Sequence, residues 1–273
     1  MNAAPQVKKH LRKYTSEKGT HVFARAGFAA RAVLYGAMGI FALLFSYGRT
    51  GGLTDVRGVL RKLIEQPFGG GILCLIALGL FSYALFRIAQ AFRDYDGHGT
   101  SAKGILLRTG HFLGGIFHLG LGYYAINLVL HLTAEEKKGP AEQHLAQQVL
   151  DQPLGRWLLA LLGLAVIGFG VFQVVVALRE KFLRDLELPA RNKTWICGVC
   201  KFGLIARAAV FGVIGWLFIK AALEASSREA GGVAGAWKFL SSQEFGSILV
   251  PLLAMGLIAF AAYGLAQAVY RKV

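Results

Sequence analysis

Apolar residues run in six long blocks along the chain, near residues 23–47, 70–92, 109–132, 156–178, 202–223 and 246–269. Each is close to the ~20 residues with which a helix crosses a ~30 Å hydrocarbon core, so each predicts a transmembrane span. Trp157–Leu178, Thr109–Leu132 and Phe245–Tyr270 carry no charge, whereas Arg31 and Arg207 interrupt the first and fifth blocks and Arg87 sits a turn or two before the end of the second. A shorter pattern precedes each even-numbered block. Leu53, Val56, Leu60, Leu63 and Ile64 keep helical spacing, with Arg57, Arg61 and Lys62 off the stripe. Val233, Ala236, Trp237 and Leu240 do the same before the sixth block, and Leu145 and Val149 more weakly before the fourth. Such helices are expected in the plane of the interface.

The blocks also repeat. Gly27, Arg31, Tyr35 and Gly39 return as Gly203, Arg207, Phe211 and Gly215, and as Gly110, Gly114, His118 and Gly122, always four residues apart. The even-numbered blocks open on Gln66-Pro67-Phe68-Gly69, Gln152-Pro153-Leu154-Gly155 and Gln243-Glu244-Phe245-Gly246. The pattern predicts an all-α polytopic integral membrane protein, six transmembrane helices arranged as three repeated helix pairs. The repeats cover about 23–95, 106–182 and 199–273, behind a basic tail at residues 1–22 that carries Lys8, Lys9, Arg12, Lys13 and Lys18. Gly27, Gly39, Gly110, Gly114, Gly122, Gly203 and Gly215 are expected to be helix-packing positions, because small residues let backbones approach. Pro67 and Pro153 are expected in the first turn of the span that follows them.

The triplicated Gly-x3-Arg-x3-aromatic-x3-Gly start, together with the Gln-Pro-Phe-Gly signal, resembles a bacterial membrane protein family known as domain of unknown function 1206. The resemblance covers Arg25 to Arg271, and the second copy departs from it with Gly114 in place of the arginine and His118 in place of the aromatic. It implies a six-span protein of the bacterial inner membrane and supplies no activity. In architecture alone the pattern is similar to the mitochondrial carriers, although no Pro-x-Asp/Glu-x-x-Lys/Arg signature ends any odd-numbered block.

Composition agrees with a bilayer: 55% of the 273 residues are hydrophobic and 16% charged, against about 25% charged in soluble domains. The formal charge of +15 would suggest nucleic acid in a soluble chain, but its distribution reads as topology. Residues 1–31, 93–108, 179–201 and 271–273 hold 18 Lys and Arg, and the three loops on the other side hold nine. The excess predicts that both termini are cytoplasmic, with anionic lipid as the natural partner of that surface and no nucleic acid.

Few residues carry chemistry. Arg31 and Arg207 stand out, since an arginine at a helix centre costs about 2.5 to 3.5 kcal/mol on insertion scales. Snorkelling, or a hydrogen bond to backbone or glutamine within the bundle, would compensate them; so would an anion or lipid phosphate. If the odd-numbered helices share an axis, Arg31, Arg207 and His118 would border an asymmetric basic pocket. His111 and His118 share a face, and Cys197 and Cys200 form one C-x-x-C, but neither set has the partners for haem, zinc or thioredoxin-like chemistry. No carboxylate lies in any block. No cofactor, metal or catalytic residue is expected. The expected function is a structural, interaction or lipid-binding membrane protein; the alternative is a small-solute or ion transporter with a pathway along the repeat axis.

Overall fold

The computed structural model describes residues 4–49, 52, 55–94, 97, 99–130 and 141–271, with the side chains of the first helix described from Val22 onward. Leu53 and the side chains of the basic tail lie outside the described residues. The elements are α1 (Ala4–Ser46), α2 (Val56–Ile64), α3 (Gly69–Arg93), α4 (Ala102–Val129), α5 (Ala141–Leu150), α6 (Gly155–Leu178), α7 (Lys193–Leu223), α8 (Val233–Ser241) and α9 (Gly246–Tyr270). Six of them, α1 from Val22, α3, α4, α6, α7 and α9, are long and apolar enough to cross a membrane. Among the described residues the sole β pairing is an isolated bridge between Leu186 and Arg271. The backbone of the basic tail continues the first span as one helix of 43 residues, about 65 Å long at 1.5 Å per residue.

The repeated Gln-x-x-Gly segment is a corner. Gly69 N donates to Gln66 O at 2.8 Å, Gly155 N to Gln152 O at 2.9 Å and Gly246 N to Gln243 O at 2.8 Å, closing one turn between the amphipathic helix and the span. Phe68 and Leu154 take left-handed backbone conformations there, with φ of 61° and 65°. The glycine is required because its backbone sits on the last carbonyls of the amphipathic helix. A Cβ would strike the Leu63 and Ile64 carbonyls at Gly69 and that of Val149 at Gly155, and would approach Ser241 O to 2.6 Å at Gly246. Pro67 and Pro153 therefore lie in the corner, ahead of the helical turn in which the sequence pattern places them.

Of the amphipathic helices, α2 buries Val59 and Leu60, and α8 buries Ala236, Trp237 and Leu240. In α5 the inward residue is Ala146, and Leu145 of the expected stripe is exposed. A weak stripe leaves its phase open, and the neighbouring segment around Ser227–Glu229 selects it.

The six spans follow one another around an open ring. Each odd-numbered span packs on the even-numbered span of the preceding copy: α1 on α9, α4 on α3, α7 on α6. In the first and third copies it also packs on its own partner, α1 on α3 and α7 on α9, but α4 and α6 do not pack on each other. The ring thus opens inside the second copy.

The glycines follow this arrangement copy by copy. Gly27 lies against the Tyr83 backbone, where a Cβ would come within 2.6 Å, and Gly203 lies against the equivalent backbone of Phe260. Gly39 abuts Ala254 O, Gly215 abuts Gly163 O and Gly122 abuts the Phe81 ring, each on the preceding copy. Gly110 and Gly114 correct the expectation, because both face open space and Gly115 takes the contact with Ala84 and Ile88. Register alone gives them the same place as Gly27 and Arg31; the missing α4–α6 contact removes what they would pack on.

Gly27→Leu should therefore lower stability by at least the 1–3 kcal/mol typical of overpacking, while Gly110→Leu should leave it within about 0.5 kcal/mol. Thermal unfolding of the two variants in one detergent checks this, and equal melting temperatures would contradict the open ring.

Candidate functional site

The even-numbered spans each place an aromatic ring 17 residues after the corner glutamine: Tyr83 on α3, Phe169 on α6 and Phe260 on α9. The odd-numbered spans answer with Tyr35, His118 and Phe211. Each meets the ring of the preceding copy edge-on, Tyr35 on Phe260 with centroids 4.7 Å apart, His118 on Tyr83 at 4.5 Å and Phe211 on Phe169 at 5.3 Å. An aromatic belt crosses all six spans, and His118 fills a ring position in it. Its Nδ1 is 2.7 Å from Gly114 O one turn back on its own helix.

Arg31 and Arg207 sit in the belt between successive rings. The Arg31 guanidinium faces Tyr83 and Phe260, each 5.1 Å from the ring centroid, and Phe28 at 5.7 Å. Arg207 faces Phe260 and Phe211 at 4.7 Å, Tyr35 at 5.5 Å and Phe169 at 6.0 Å. Phe260 thus separates the two cations and serves both. Desolvated cation–π contacts of this kind contribute about 2 kcal/mol.

Hydrogen bonds complete part of the shell. Arg31 Nη1 donates to the Tyr83 hydroxyl at 2.5 Å and Nη2 to Gln267 Oε1 at 3.0 Å, and Gln267 Nε2 donates to the Tyr263 hydroxyl at 3.0 Å. Arg207 Nη1 donates to Gln173 Oε1 at 2.7 Å. Arg31 is only 5% exposed, and two charge-assisted bonds of about 1.5–3 kcal/mol each match the scale of its insertion penalty. Both arginines use a glutamine from the preceding copy.

The slot between Phe169 and Tyr83, where a third arginine would stand, holds Gly114. The cation comes instead from across the interface. Arg87, on α3, donates Nε to the Tyr83 hydroxyl at 2.8 Å and Nη1 to Gln90 Oε1 at 3.1 Å, with its guanidinium 5.2 Å from the Tyr83 ring. Tyr83 O is thereby a shared acceptor for Arg31 and Arg87. The sequence pattern singles out Arg31, Arg207 and His118; it misses Arg87, Tyr83, Gln173 and Gln267, although Arg87 and Gln173 both stand 21 residues after their corner glutamines.

Donors exceed acceptors throughout. Among the described residues no carboxylate lies within ion-pairing distance of Arg31, Arg87 or Arg207. Arg31 Nε, Arg207 Nε and Gln173 Nε2 are buried without an acceptor. The arrangement supplies positive charge and N–H groups and no general base. Elsewhere, Cys197 and Cys200 are buried free thiols packed with Phe182, Leu204 and Phe260. Among the described residues no three His, Cys, Asp or Glu side chains are grouped to hold a metal.

The family model described as Domain of Unknown Function (DUF1206) matches three stretches, residues 26–94, 109–180 and 202–271. They coincide with the three helix pairs, and the chain belongs to this family. It is also similar to the uncharacterized protein YxxB of Bacillus subtilis (strain 168), 31% identical over 252 residues, covering 91% of this chain and 90% of that one. No solved structure matches the chain.

Tyr83→Phe keeps the ring and removes the acceptor that Arg31 and Arg87 share. Leaving one buried and one half-buried guanidinium donor unpaired should destabilise the protein by about 2–4 kcal/mol, well beyond the effect of Tyr123→Phe at an exposed position of α4. Thermal unfolding in detergent measures both, and equal effects would show that the phenol oxygen holds neither arginine.

Proposed function

We propose that this member of the DUF1206 family is a non-catalytic protein of the bacterial cytoplasmic membrane that binds an anionic oxyacid group, such as a lipid phosphate, at the arginine belt. The observation that carries the reading is the excess of donors: three guanidiniums within the spans, no carboxylate partner among the described residues, and three buried N–H-bearing atoms without acceptors. Buried charge is retained where it is paired, and a phosphate or carboxylate ligand offers acceptors only. Arg87 lies six residues from the end of α3, about 9 Å along the helix. A helix of 25 residues is about 38 Å long, so with a ~30 Å core Arg87 sits about 5 Å below the headgroup boundary. A lipid phosphate can reach that depth with modest local thinning.

The basic loops add orientation. Both termini and the loop around Asp185 are assigned to the cytoplasm, and the loop around Glu229 to the opposite side, by the two-to-one partition of Lys and Arg. The loops around Asp96 and Glu136, which the same partition places inside and outside, lie outside the described residues. The belt then stands on the cytoplasmic half, where anionic lipid is concentrated.

Arg207→Gln should lower retention of copurifying anionic lipid about tenfold, the factor carried by one charge-assisted hydrogen bond, and Arg31→Gln, at the enclosed arginine, should add little to that loss in the double variant. Lysine should restore part of it, lacking the planar fork. Native mass spectrometry from mild detergent reads the outcome, with thermal unfolding as the check that each variant is folded. Undiminished lipid in a folded double variant would reject the reading, and anion flux through liposomes that the double variant abolishes would replace it with transport. Single cysteines at residues 185 and 229 test the orientation in intact cells: a membrane-impermeant thiol reagent should label the second and not the first.

A further inference from the structure

The belt has three slots between successive rings, and two are filled. Arg31 occupies the slot between Tyr83 and Phe260, and Arg207 that between Phe260 and Phe169. The third, between Phe169 and Tyr83, has Gly114 at the arginine position and opens between α4 and α6, which do not pack on each other. The consequence shows in the rings themselves. Tyr83 and Phe260 are 2% and 1% exposed, whereas Phe169 is 45% exposed. A side chain added at Gly110 or Gly114 would meet nothing within 4 Å.

We infer that this lateral slot is the seat of one anionic lipid, whose phosphate is held by Arg87 and Arg207 and whose acyl chain lies along the separated α4 and α6. The inference rests on the anion-binding reading above and names its occupant and place. Three observations converge on it. Arg87 and Arg207 are both half-buried, both lie near enough to Tyr83 and His118 for their charges to act on those rings, and each keeps Nη2 without an acceptor. Gln173, on the α6 wall and 5% exposed, has its Oε1 taken by Arg207 and its Nε2 unpartnered. The walls are apolar and face the bilayer, with Leu113, Phe117, Leu162 and Phe169 exposed on α4 and α6. A free oxyanion arriving from water has no use for those walls; a molecule with an anionic head and a hydrocarbon tail uses both the unpaired donors and the apolar sides. A second copy of this chain would bring α4 or α6 surface, which has no anion to offer, since no carboxylate lies in either span.

The test fills the slot without touching the arginines. Gly114→Trp occupies it, and Gly120→Trp, an equally open glycine of α4 six residues on and about 240° round the helix, points elsewhere. Purified protein is exchanged into nanodiscs of phosphatidylcholine with a minor fraction of phosphatidylglycerol, and retained lipid is counted by native mass spectrometry after release. Gly114→Trp should retain about tenfold less phosphatidylglycerol than the parent, while Gly120→Trp matches it and both keep the parent's melting temperature. Full retention in Gly114→Trp with loss in Arg207→Gln would overturn this placement and leave the anion reading standing. Full retention in both would remove both. Inorganic phosphate that binds the delipidated parent and is not displaced by phosphatidylglycerol would overturn the lipid as occupant, as would a two-chain mass in the parent that Gly114→Trp reduces to one.

Discussion

A guanidinium cannot be neutralised by deprotonation at any physiological pH, so an arginine placed within a hydrocarbon core must be solvated by the protein around it. Most features of this bundle follow from doing so more than once at one depth. Arg31 and Arg207 each take aromatic faces from three or more helices and an amide oxygen from a neighbouring one, which no single helix can supply. Arg31 therefore draws on Tyr83 of its own pair and on Gln267 and Phe260 of the preceding copy. Its demand fixes the rotation of three helices at once. The glycines then bring those helices close enough for the short side chains to reach: Gly27 seats directly on the backbone of Tyr83, the residue whose hydroxyl binds Arg31.

Triplication makes this economical, because one set of contacts solves the same problem at each turn of the ring. It also makes departures informative. In the second copy the arginine becomes glycine, the adjacent aromatic becomes His118, and the neighbouring span supplies Arg87 at the position where α6 carries Gln173. The charge of the belt is conserved while its source moves across the interface. Because Arg87 is anchored to Tyr83 and Gln90 on its own helix, nothing ties α4 to α6, and the ring opens at that pair. Loss of the bridging cation and loss of the helix contact are two sides of one change.

Six spans, three pairs, the in-plane helices and the repeated glycines could all be read from periodicity, because each is a property of one segment compared with itself or its copies. What opposes each segment could not. Spacing of four says that Gly110 and Gly114 share a face with Gly122; it does not say that the face has a neighbour at only one end. Arg87 was passed over for a related reason. Aligning like with like pairs it with Gln173, a neutral residue, so its equivalence to the missing arginine is visible only once α3 and α4 are set side by side. His118 has the opposite fault: as a titratable side chain it attracts a chemical reading, while its ring occupies the place of Tyr35 and Phe211. Residue type suggested chemistry, and position assigned packing.

The uneven satisfaction of the three cations separates holding the fold from the ligand role proposed for the other two. Arg31, enclosed by three rings and two oxygen acceptors, is the internal tie, with Nε alone left without an acceptor. Arg207 has only Nη1 bound, leaving Nε and Nη2 without an acceptor, Arg87 has Nη2 alone left over, and both are only half-buried. Full internal pairing of these two would have needed a carboxylate, and none lies in any of the six apolar blocks. A carboxylate there would lower the belt's net charge. Glutamine and phenol oxygens orient the guanidiniums without neutralising them. Neutral acceptors around unneutralised cations are thus the arrangement that keeps a bundle stable while leaving positive charge available at its open side, where Arg87 and Arg207 remain half-buried.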